Sequence, residues 1–213
     1  MKQTKQLIKN IDAWINNLED LTQRLFDFEE EILDNPDPTF WLNPKNIINP
    51  PQNPDMQLSK LCFGNLTCNL CQWVLEDKAR DINSDTKTIA VIKKNIDISN
   101  QHRNDFIEHI NSHLINKYFP KLNENSPLFS ETPGSILDRL HILCLKKNRY
   151  EHMAKDLKEC TTRTQIIKQQ MKDLKNALNY LNDSVYKGKM HFRLYYQFKT
   201  YNDHRFNRHL KKA

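Results

Sequence analysis

The sequence predicts an all-α fold, a helical bundle of about five long helices followed by a basic, aromatic C-terminal arm. Apolar residues recur in steps of three and four along most of the chain, which is the spacing of one helix face. The 213 residues include only 3 Gly, so glycine-rich phosphate loops and tight hairpin turns are nearly excluded. No strand pattern and no internal repeat stands out. These observations weigh against Rossmann, P-loop and all-β folds.

The first predicted helix occupies residues 1–34 and carries a heptad stripe. The apolar positions of this stripe are Leu7, Ile11, Trp14, Leu18, Leu21, Leu25, Phe28 and Ile32. Six prolines follow within residues 35–55, so regular structure is not expected there. We interpret this segment as a mobile or surface loop anchored by Phe40 and Trp41.

A helical core domain is predicted over residues 56–187. Its helices cover about 56–81, 85–119, a segment that starts at Pro133 with Thr132 as N-cap, and about 162–187. The third of these is apolar nearly all round, which is typical of a helix in the middle of a bundle. Gly188 is expected to end the last helix, and residues 188–213 form the arm.

Composition predicts a folded protein of the cytoplasm. Hydrophobic residues make up 38% and charged residues 27%, and no apolar run approaches the roughly 20 residues of a membrane helix. The odd number of cysteines favours reduced thiols. Cys68 and Cys71 are interpreted as core thiols, since a structural zinc site needs four ligands. His109 and His113 are assigned to a solvated helix surface, and no metal site is predicted.

Polar residues interrupt the apolar stripes of three helices. On the helix that carries Trp73 the stripe runs into Asp77 and Arg80, with Glu76 placed to pair with Arg80. On the next helix Asn100 and Arg103 take the inward positions, flanked by Lys93, Asp97 and Asn104. The third helix carries Asp138, Arg139 and Lys146.

Two interpretations of these charges remain open. In the first they form a buried salt-bridge network that sets the register of the helices. In the second they line a cleft for a phosphate or carboxylate ligand, because arginine binds oxyanions with two parallel hydrogen bonds. Arg80, Arg103, Arg139 and Lys146 would then hold the anion. Asp97 or Asp138 would be the catalytic base if there is chemistry, and Mg²⁺ would accompany a phosphorylated substrate.

Four motifs make the chain resemble a known bacterial family. They are Gln72–Asp81, the set Lys93, Ile96-Asp97, Asn100-Gln101 and Arg103, the stretch from Ser130 through Asp138-Arg139 to Lys146, and Tyr195-x-Gln197-Phe198-Lys199-x-Tyr201-Asn202-Asp203. Over roughly residues 58–204 the chain resembles the domain-of-unknown-function family 4254. The resemblance implies a helical fold and genes that lie among glycosyltransferase genes for lipopolysaccharide or other surface glycans. Its motifs add Trp73, Glu131, Lys199 and Tyr201 to the ligand-binding candidates.

Three functions are compatible with these patterns. The first is a binding protein or enzyme for an anionic sugar phosphate or nucleotide sugar in surface-glycan assembly. The second is a non-catalytic partner of glycosyltransferases that uses the heptad face of the first helix. The third is nucleic-acid binding by the tail, where eight Lys or Arg stand against one Asp from residue 187 onward. Packing of the tail on the bundle is favoured over nucleic-acid binding, and peripheral contact with an anionic membrane stays open.

The two interpretations of the polar cluster differ in what Arg103→Ala would do. Loss of Arg103 from a fully paired buried network should cost about 3–5 kcal/mol of stability. Loss of one of several cations around a solvated pocket should change stability by less than about 1 kcal/mol. The sequence favours the second outcome, because the nearby acids have local partners.

Overall fold

The computed structural model describes residues 2–35, 53–119, 121–154 and 158–196. Within these ranges the prediction of an all-α bundle is confirmed: there are five long helices and one short one. In chain order they are α1 (Lys2–Phe26), α2 (Glu29–Asp34), α3 (Met56–Ala79), α4 (Thr86–Tyr118), α5 (Pro133–Met153) and α6 (Lys158–Tyr186). The most extensive packing joins α3 to α4 and α5 to α6, and α1 lies against α5 and α6.

Helix starts follow local capping chemistry. Asp55 accepts the backbone N–H of Leu58 at the start of α3, and Asp85 accepts two N–H groups at the start of α4. Thr132 and Ser135 form a capping box around Pro133, which confirms the predicted start of α5. Gly188 follows α6 with φ of 66°, the left-handed conformation expected just past a helix end.

The prediction of one continuous N-terminal helix is wrong at its C-terminal end. The chain leaves the helix at Asp27 and Phe28 and begins again as α2 at Glu29. Glu29, Glu30 and Glu31 would lie in the last turns of an unbroken helix, where the negative end of the dipole repels them. In the observed arrangement they occupy the first turn of α2, where the dipole favours acidic side chains.

The heptad stripe of α1 is buried in the core of this chain. Leu7, Ile11, Leu18 and Leu21 are each 0% exposed, and Trp14 is 1% exposed. This overturns the expectation that the heptad face is free to bind another protein. A glycosyltransferase partner would have to use a different surface.

Two glycines allow α4 to lie close to its neighbours. A Cβ on Gly64 would stand 2.3 Å from the ring of Phe106, so α3 approaches α4 closely at this point. A Cβ on Gly134 would stand 2.6 Å from the carbonyl oxygen of Ile107, which brings the start of α5 against α4. These contacts set the separation of the three helices that carry the polar residues.

Several expectations fall on residues outside the described ranges. They include the proline-rich segment over residues 36–52 with Phe40 and Trp41, and the arm from residue 197 onward. The division of the chain into an N-terminal helix, a loop, a core domain and an arm therefore stays a prediction. The described start of the arm packs on the bundle through Phe192, which is 0% exposed and meets Phe119 edge to face.

No helix within the described residues combines the length and the apolar character needed to cross a bilayer. In the same ranges the β pairing is limited to one isolated bridge between Leu128 and His191.

Candidate functional site

A cleft of about 340 Å³ lies where the C-terminal half of α3 faces α4 and α5. Clefts between facing helices are common sites in helical bundles. We call this cleft of α3, α4 and α5 the first cleft. It is lined by Asn69, Gln72, Trp73, Glu76, Asp77, Arg80, Arg103, Ile142, Leu145 and Lys146.

Charged side chains at the rim of the first cleft pair with one another. Arg80 lies 3.1 Å from the carboxylate of Glu76, which confirms the predicted i, i+4 pair. Lys93 of α4 reaches the same carboxylate at 3.3 Å. The Arg80 and Lys93 side chains are more than half exposed, so these pairs contribute little to stability. The Lys93–Glu76 pair connects α4 to α3 at the edge of the cleft, whereas the Arg80–Glu76 pair is local to the end of α3.

A buried ion pair between Arg103 and Asp138 forms the floor of the first cleft. Nε of Arg103 donates to Oδ1 of Asp138 at 2.8 Å, and Nη2 donates to Oδ2 at 2.5 Å. The Asp138 side chain is 4% exposed, whereas the Arg103 side chain is 25% exposed. This two-bond contact occupies one side of the guanidinium. Nη1 has no hydrogen-bond partner in the described part of the chain, so it remains available to a ligand.

Two asparagines of α3 complete the surroundings of the Asp138 carboxylate. Nδ2 of Asn69 donates to Oδ1 at 2.9 Å, and Nδ2 of Asn65 donates to the same oxygen at 3.1 Å. Burial by itself would raise the pKa of Asp138. The hydrogen bonds and charge of Arg103, followed by the two amides, outweigh burial and hold this pKa below its usual range. Asp138 is therefore a fixed acceptor and is poorly suited to collect a proton.

The network continues from Asn65 to α1 through His141. Nε1 of Trp14 donates to Nε2 of His141 at 2.9 Å, so the proton of the neutral imidazole resides on Nδ1. Nδ1 donates to Oδ1 of Asn65 at 2.7 Å. Burial lowers the pKa of His141 to about 4, against a smaller opposite effect of the Asp138 charge. A continuous series of hydrogen bonds thus joins Trp14 to Arg103.

Besides Nη1 of Arg103, three nitrogen donors at the first cleft lack partners within the described residues. Nε2 of Gln72 and Nε1 of Trp73 are buried and make no hydrogen bond. Lys146 is exposed on α5 and forms no ion pair there. Buried donors without acceptors are rare in folded proteins because each one costs about 1–3 kcal/mol. The side chains around this cleft therefore offer more donors than the protein uses.

A second cleft of about 560 Å³ lies between α5 and α6, on the other side of Lys146. Arg139 forms an ion pair with Glu131 at its edge. We call it the second cleft. Its lining residues are Glu131, Arg139, Ile142, Leu143, Lys146, Gln170, Asp173, Leu174 and Ala177.

The predicted site residues fall into four groups. Trp73, Glu76, Asp77, Arg80, Arg103 and Lys146 line the first cleft, with Lys93 attached through Glu76 and Asp138 behind Arg103. Glu131 and Arg139 line the second cleft. Asp97 is exposed and Asn100 is half-buried, and neither lines either cleft. Lys199 and Tyr201 lie outside the described residues.

The expectation that five charged residues from three helices converge needs correction. Arg103 and Asp138 meet, and Arg80 lines the same cleft. Arg139 instead faces the second cleft, and Asp97 points to solvent on α4. The buried polar positions of α4 at this level are Ser99 and Asn104, which lie on either side of the predicted positions Asn100 and Arg103. The two interpretations of the polar residues both apply in part. The paired residues form a buried ion pair at the floor of the first cleft, and the donors without partners form its walls.

Sequence reasoning missed the buried amides and the imidazole. Asn65 and Asn69 lie one turn apart among the buried residues of α3, and His141 is 0% exposed on α5. An amide pair at i, i+4 inside an apolar stripe was the available signal, because a buried amide needs a partner on a neighbouring helix. Trp14 was placed on the heptad stripe of the first helix, but the contact of its indole N–H with His141 could not be predicted from spacing.

The prediction that His113 lies on a solvated helix surface is wrong. Its Nε2 lies 2.9 Å from Oδ2 of Asp55, and Tyr118 donates to the same oxygen at 2.8 Å. Asp55 is 1% exposed, and Lys117 also contacts it at 3.0 Å. Burial alone would raise the pKa of Asp55, but these contacts outweigh it and hold this pKa well below the usual range. The cluster ties the start of α3 to the end of α4 and, through the bond from Asn10 to Tyr118, to α1.

All five cysteines are free and buried, which confirms their interpretation as core thiols. Burial raises the pKa of Cys71 to about 12 and the pKa of Cys144 to about 11, so neither is a thiolate near pH 7. Across the described ranges, histidine, cysteine and carboxylate side chains do not gather in a group of three that could hold a metal ion.

The fold and the clefts define a class of protein, a helical bundle with a polar cleft between facing helices. A family model described as "Protein of unknown function (DUF4254)" matches residues 59–194. The chain belongs to this family, and the match covers most of α3 and all of α4, α5 and α6. Neither the curated proteins nor the solved structures contain a match to the chain.

Proposed function

We propose that the first cleft binds an anionic, phosphorylated sugar compound. The observation that carries this proposal is the excess of donors: Gln72, Trp73 and Lys146 offer N–H groups that no described acceptor uses. A ligand rich in acceptor oxygens would supply the missing partners. A volume of about 340 Å³ lies within the usual range for small-molecule sites.

The charge of the ligand follows from the two cations that remain available. Lys146 has no ion pair within the described residues, and Arg103 keeps Nη1 free beside its contact with Asp138. Because Asp138 holds Arg103 in one orientation, the guanidinium is already positioned before an oxyanion arrives. Arg80 forms an ion pair with Glu76 at the rim. Because the Arg80 side chain is exposed, it could exchange Glu76 for an anionic ligand at little cost in free energy.

The sugar component follows from the aromatic and amide groups of the cleft. The half-buried ring of Trp73 offers an apolar face, and Gln72 offers an amide that matches hydroxyl groups. We propose that such a ligand belongs to the assembly of surface glycans or lipopolysaccharide, which is the gene context that the family resemblance implies. This context is part of the proposal.

Binding is better supported than catalysis. Asp138 is occupied by Arg103, Asn65 and Asn69, and Asp97 lines neither cleft. Asp77 is an exposed carboxylate of the cleft without a described ion pair. It is the side chain that would meet Mg²⁺ carried by a phosphorylated ligand.

A thermal-shift screen tests the proposal with sugar phosphates and nucleotide sugars, each with and without Mg²⁺. A ligand at 100 times its Kd should stabilise the protein by about 2.7 kcal/mol. Lys146→Ala should lose this shift, and Lys60→Ala, which removes an exposed lysine of α3 outside the clefts, should keep it. The proposal fails if no compound shifts the melting temperature, or if Lys146→Ala and wild type respond alike.

A further inference from the structure

Lys146 lies where three clefts meet. It lines the first cleft, the second cleft, and a third cleft of about 230 Å³ that extends along α6 toward Tyr150. Ile142, one helical turn before Lys146, is shared by the first and second clefts. A single exposed ammonium group therefore stands between two cavities that open on opposite sides of α5.

The two cavities differ in chemical character. The first offers the ring of Trp73 and the outer edge of Arg103. The second offers an apolar wall from Leu143, Leu174 and Ala177 with Gln170 and Asp173 beside it. Amide and carboxylate groups on an apolar wall suit an uncharged, hydroxylated group.

Charge also separates the two sides. In the second cleft Arg139 is already paired with Glu131, and Asp173 accepts only the amide of Gln169 among described groups. A second anionic group placed there would meet the Asp173 carboxylate. The acidic part of a ligand is therefore favoured at Lys146 and not at the far end of the second cleft.

We propose that the ligand is two-ended, with a phosphate or diphosphate bridge at Lys146, a nucleobase-like ring against Trp73, and a neutral sugar in the second cleft. Nucleoside diphosphate sugars have this arrangement of groups. The proposal rests on the proposed function, since it assumes that the first cleft holds an anion, and it adds the second cleft as the sugar subsite.

Calorimetric titration of the full chain tests this arrangement. The probes are a panel of nucleoside diphosphate sugars, the matching nucleoside diphosphates, the matching sugar 1-phosphates, and inorganic diphosphate. The best two-ended compound should bind at least about tenfold more tightly than either of its halves, which corresponds to about 1.4 kcal/mol.

Variants locate the sugar. Ala177→Trp fills the second cleft and should weaken the two-ended compound at least tenfold while leaving the nucleoside diphosphate unchanged. Gln170→Trp, at a more exposed position of the same wall, should act in the same direction if Ala177→Trp does not fold. Asn176→Trp is the matched control, because Asn176 is exposed on α6 beside the cleft and does not line it.

The outcomes separate the two proposals. The two-ended arrangement is overturned if a nucleoside diphosphate or a sugar 1-phosphate binds as tightly as the nucleoside diphosphate sugar. It is also overturned if neither tryptophan variant weakens binding of the nucleoside diphosphate sugar. In both cases the proposal of anion binding in the first cleft is unaffected. If no probe binds, inorganic diphosphate included, the proposed function fails and this inference fails with it.

Discussion

At the scale of single residues, the ion pair between Arg103 and Asp138 joins α4 to α5 and uses one side of the guanidinium. Both carboxylate oxygens of Asp138 accept hydrogen bonds, which come from Arg103, Asn65 and Asn69. Nη1 of Arg103 has no partner among the described residues and lies on the side of the first cleft. A buried pair of this kind adds little net stability, yet removal of one partner leaves a buried charge without compensation.

Arg103→Ala should therefore destabilise the protein by about 3–5 kcal/mol. This reverses the expectation from the sequence, because Asp138 has no other cation among the described groups. Arg80→Ala is the control and should cost less than about 1 kcal/mol, since Arg80 is 69% exposed. Urea unfolding with an unchanged slope measures both values. A loss below about 1 kcal/mol for Arg103→Ala would show that water reaches Asp138 and solvates its charge.

His141 should make stability depend on pH between about 4 and 6.5. Its pKa is about 4 in the fold and 6.5 in the unfolded chain, so the unfolded state binds the proton first. The contribution of His141 is complete above pH 6.5 and declines as pH falls toward 4. Between pH 7 and pH 5 the loss should be about 2 kcal/mol.

The His141 effect is isolated by comparing wild type with His141→Gln in urea unfolding at several pH values. The variant should lack this part of the pH dependence, while His109→Gln, at an exposed position of α4, should retain it. Equal slopes against pH for wild type and His141→Gln would contradict the assignment of a neutral buried imidazole.

At the scale of helices, spacing between elements depends on Gly64 and Gly134. Both positions face α4 at distances that leave no room for a side chain, but the neighbours differ. Gly64 faces the end of the Phe106 ring, which can rotate or shift. Gly134 faces the backbone carbonyl of Ile107, and its own N–H donates to Asn111 at 2.7 Å.

Gly134→Ala should cost about 1–3 kcal/mol through overpacking against backbone. Gly64→Ala should be closer to neutral, because movement of Phe106 relieves the clash and alanine gains about 1 kcal/mol of helix propensity. Urea unfolding of the two variants gives the ranking. A Gly134→Ala protein as stable as wild type would mean that α5 can move away from α4 without loss.

At the scale of the whole molecule, α1 packs into the same core as α3–α6. The family match begins at residue 59, so it leaves out α1 and α2. Six apolar side chains of α1, from Leu7 to Leu25, are nevertheless 3% exposed or less. Without α1 their partners in α3, α5 and α6 would face water.

A chain that begins at residue 53 should lack a cooperative unfolding transition. A synthetic peptide of residues 1–35, added in trans, should restore the transition, and the same peptide with Leu18→Asp and Leu21→Asp should not. Far-UV circular dichroism during heating measures this. A truncated chain that unfolds cooperatively within about 5 °C of the full chain would show that α1 is dispensable, since 1 kcal/mol corresponds to roughly 2–4 °C at this size.

Most of the fold was predictable from the sequence because helix formation is largely local. Thr132, Pro133 and Gly188 mark helix ends through interactions with their immediate neighbours. The break at Asp27 was missed because the apolar stripe continues through it, while the three glutamates decide where the helix restarts.

The candidate site was predictable only in part. Periodicity identified which helices carry polar residues and placed Arg103 and Asp138 on inward faces, but it also placed Asp97 and Arg139 with them, and these lie elsewhere. The contact from Trp14 to His141 spans 127 positions and depends on how α1 docks on α5. Partners of this kind are set by tertiary packing and not by local pattern.

The pairing of Arg103 with Asp138 also constrains how related chains can diverge. A lineage that replaces either residue alone must pass through a form with one uncompensated buried charge, which selection would tend to remove. A lineage that replaces both by apolar residues of similar volume escapes this barrier but gives up the positioned guanidinium. If the proposed function is right, relatives that bind the same ligand should inherit both residues, and relatives that have lost one should have lost the other and the binding with it.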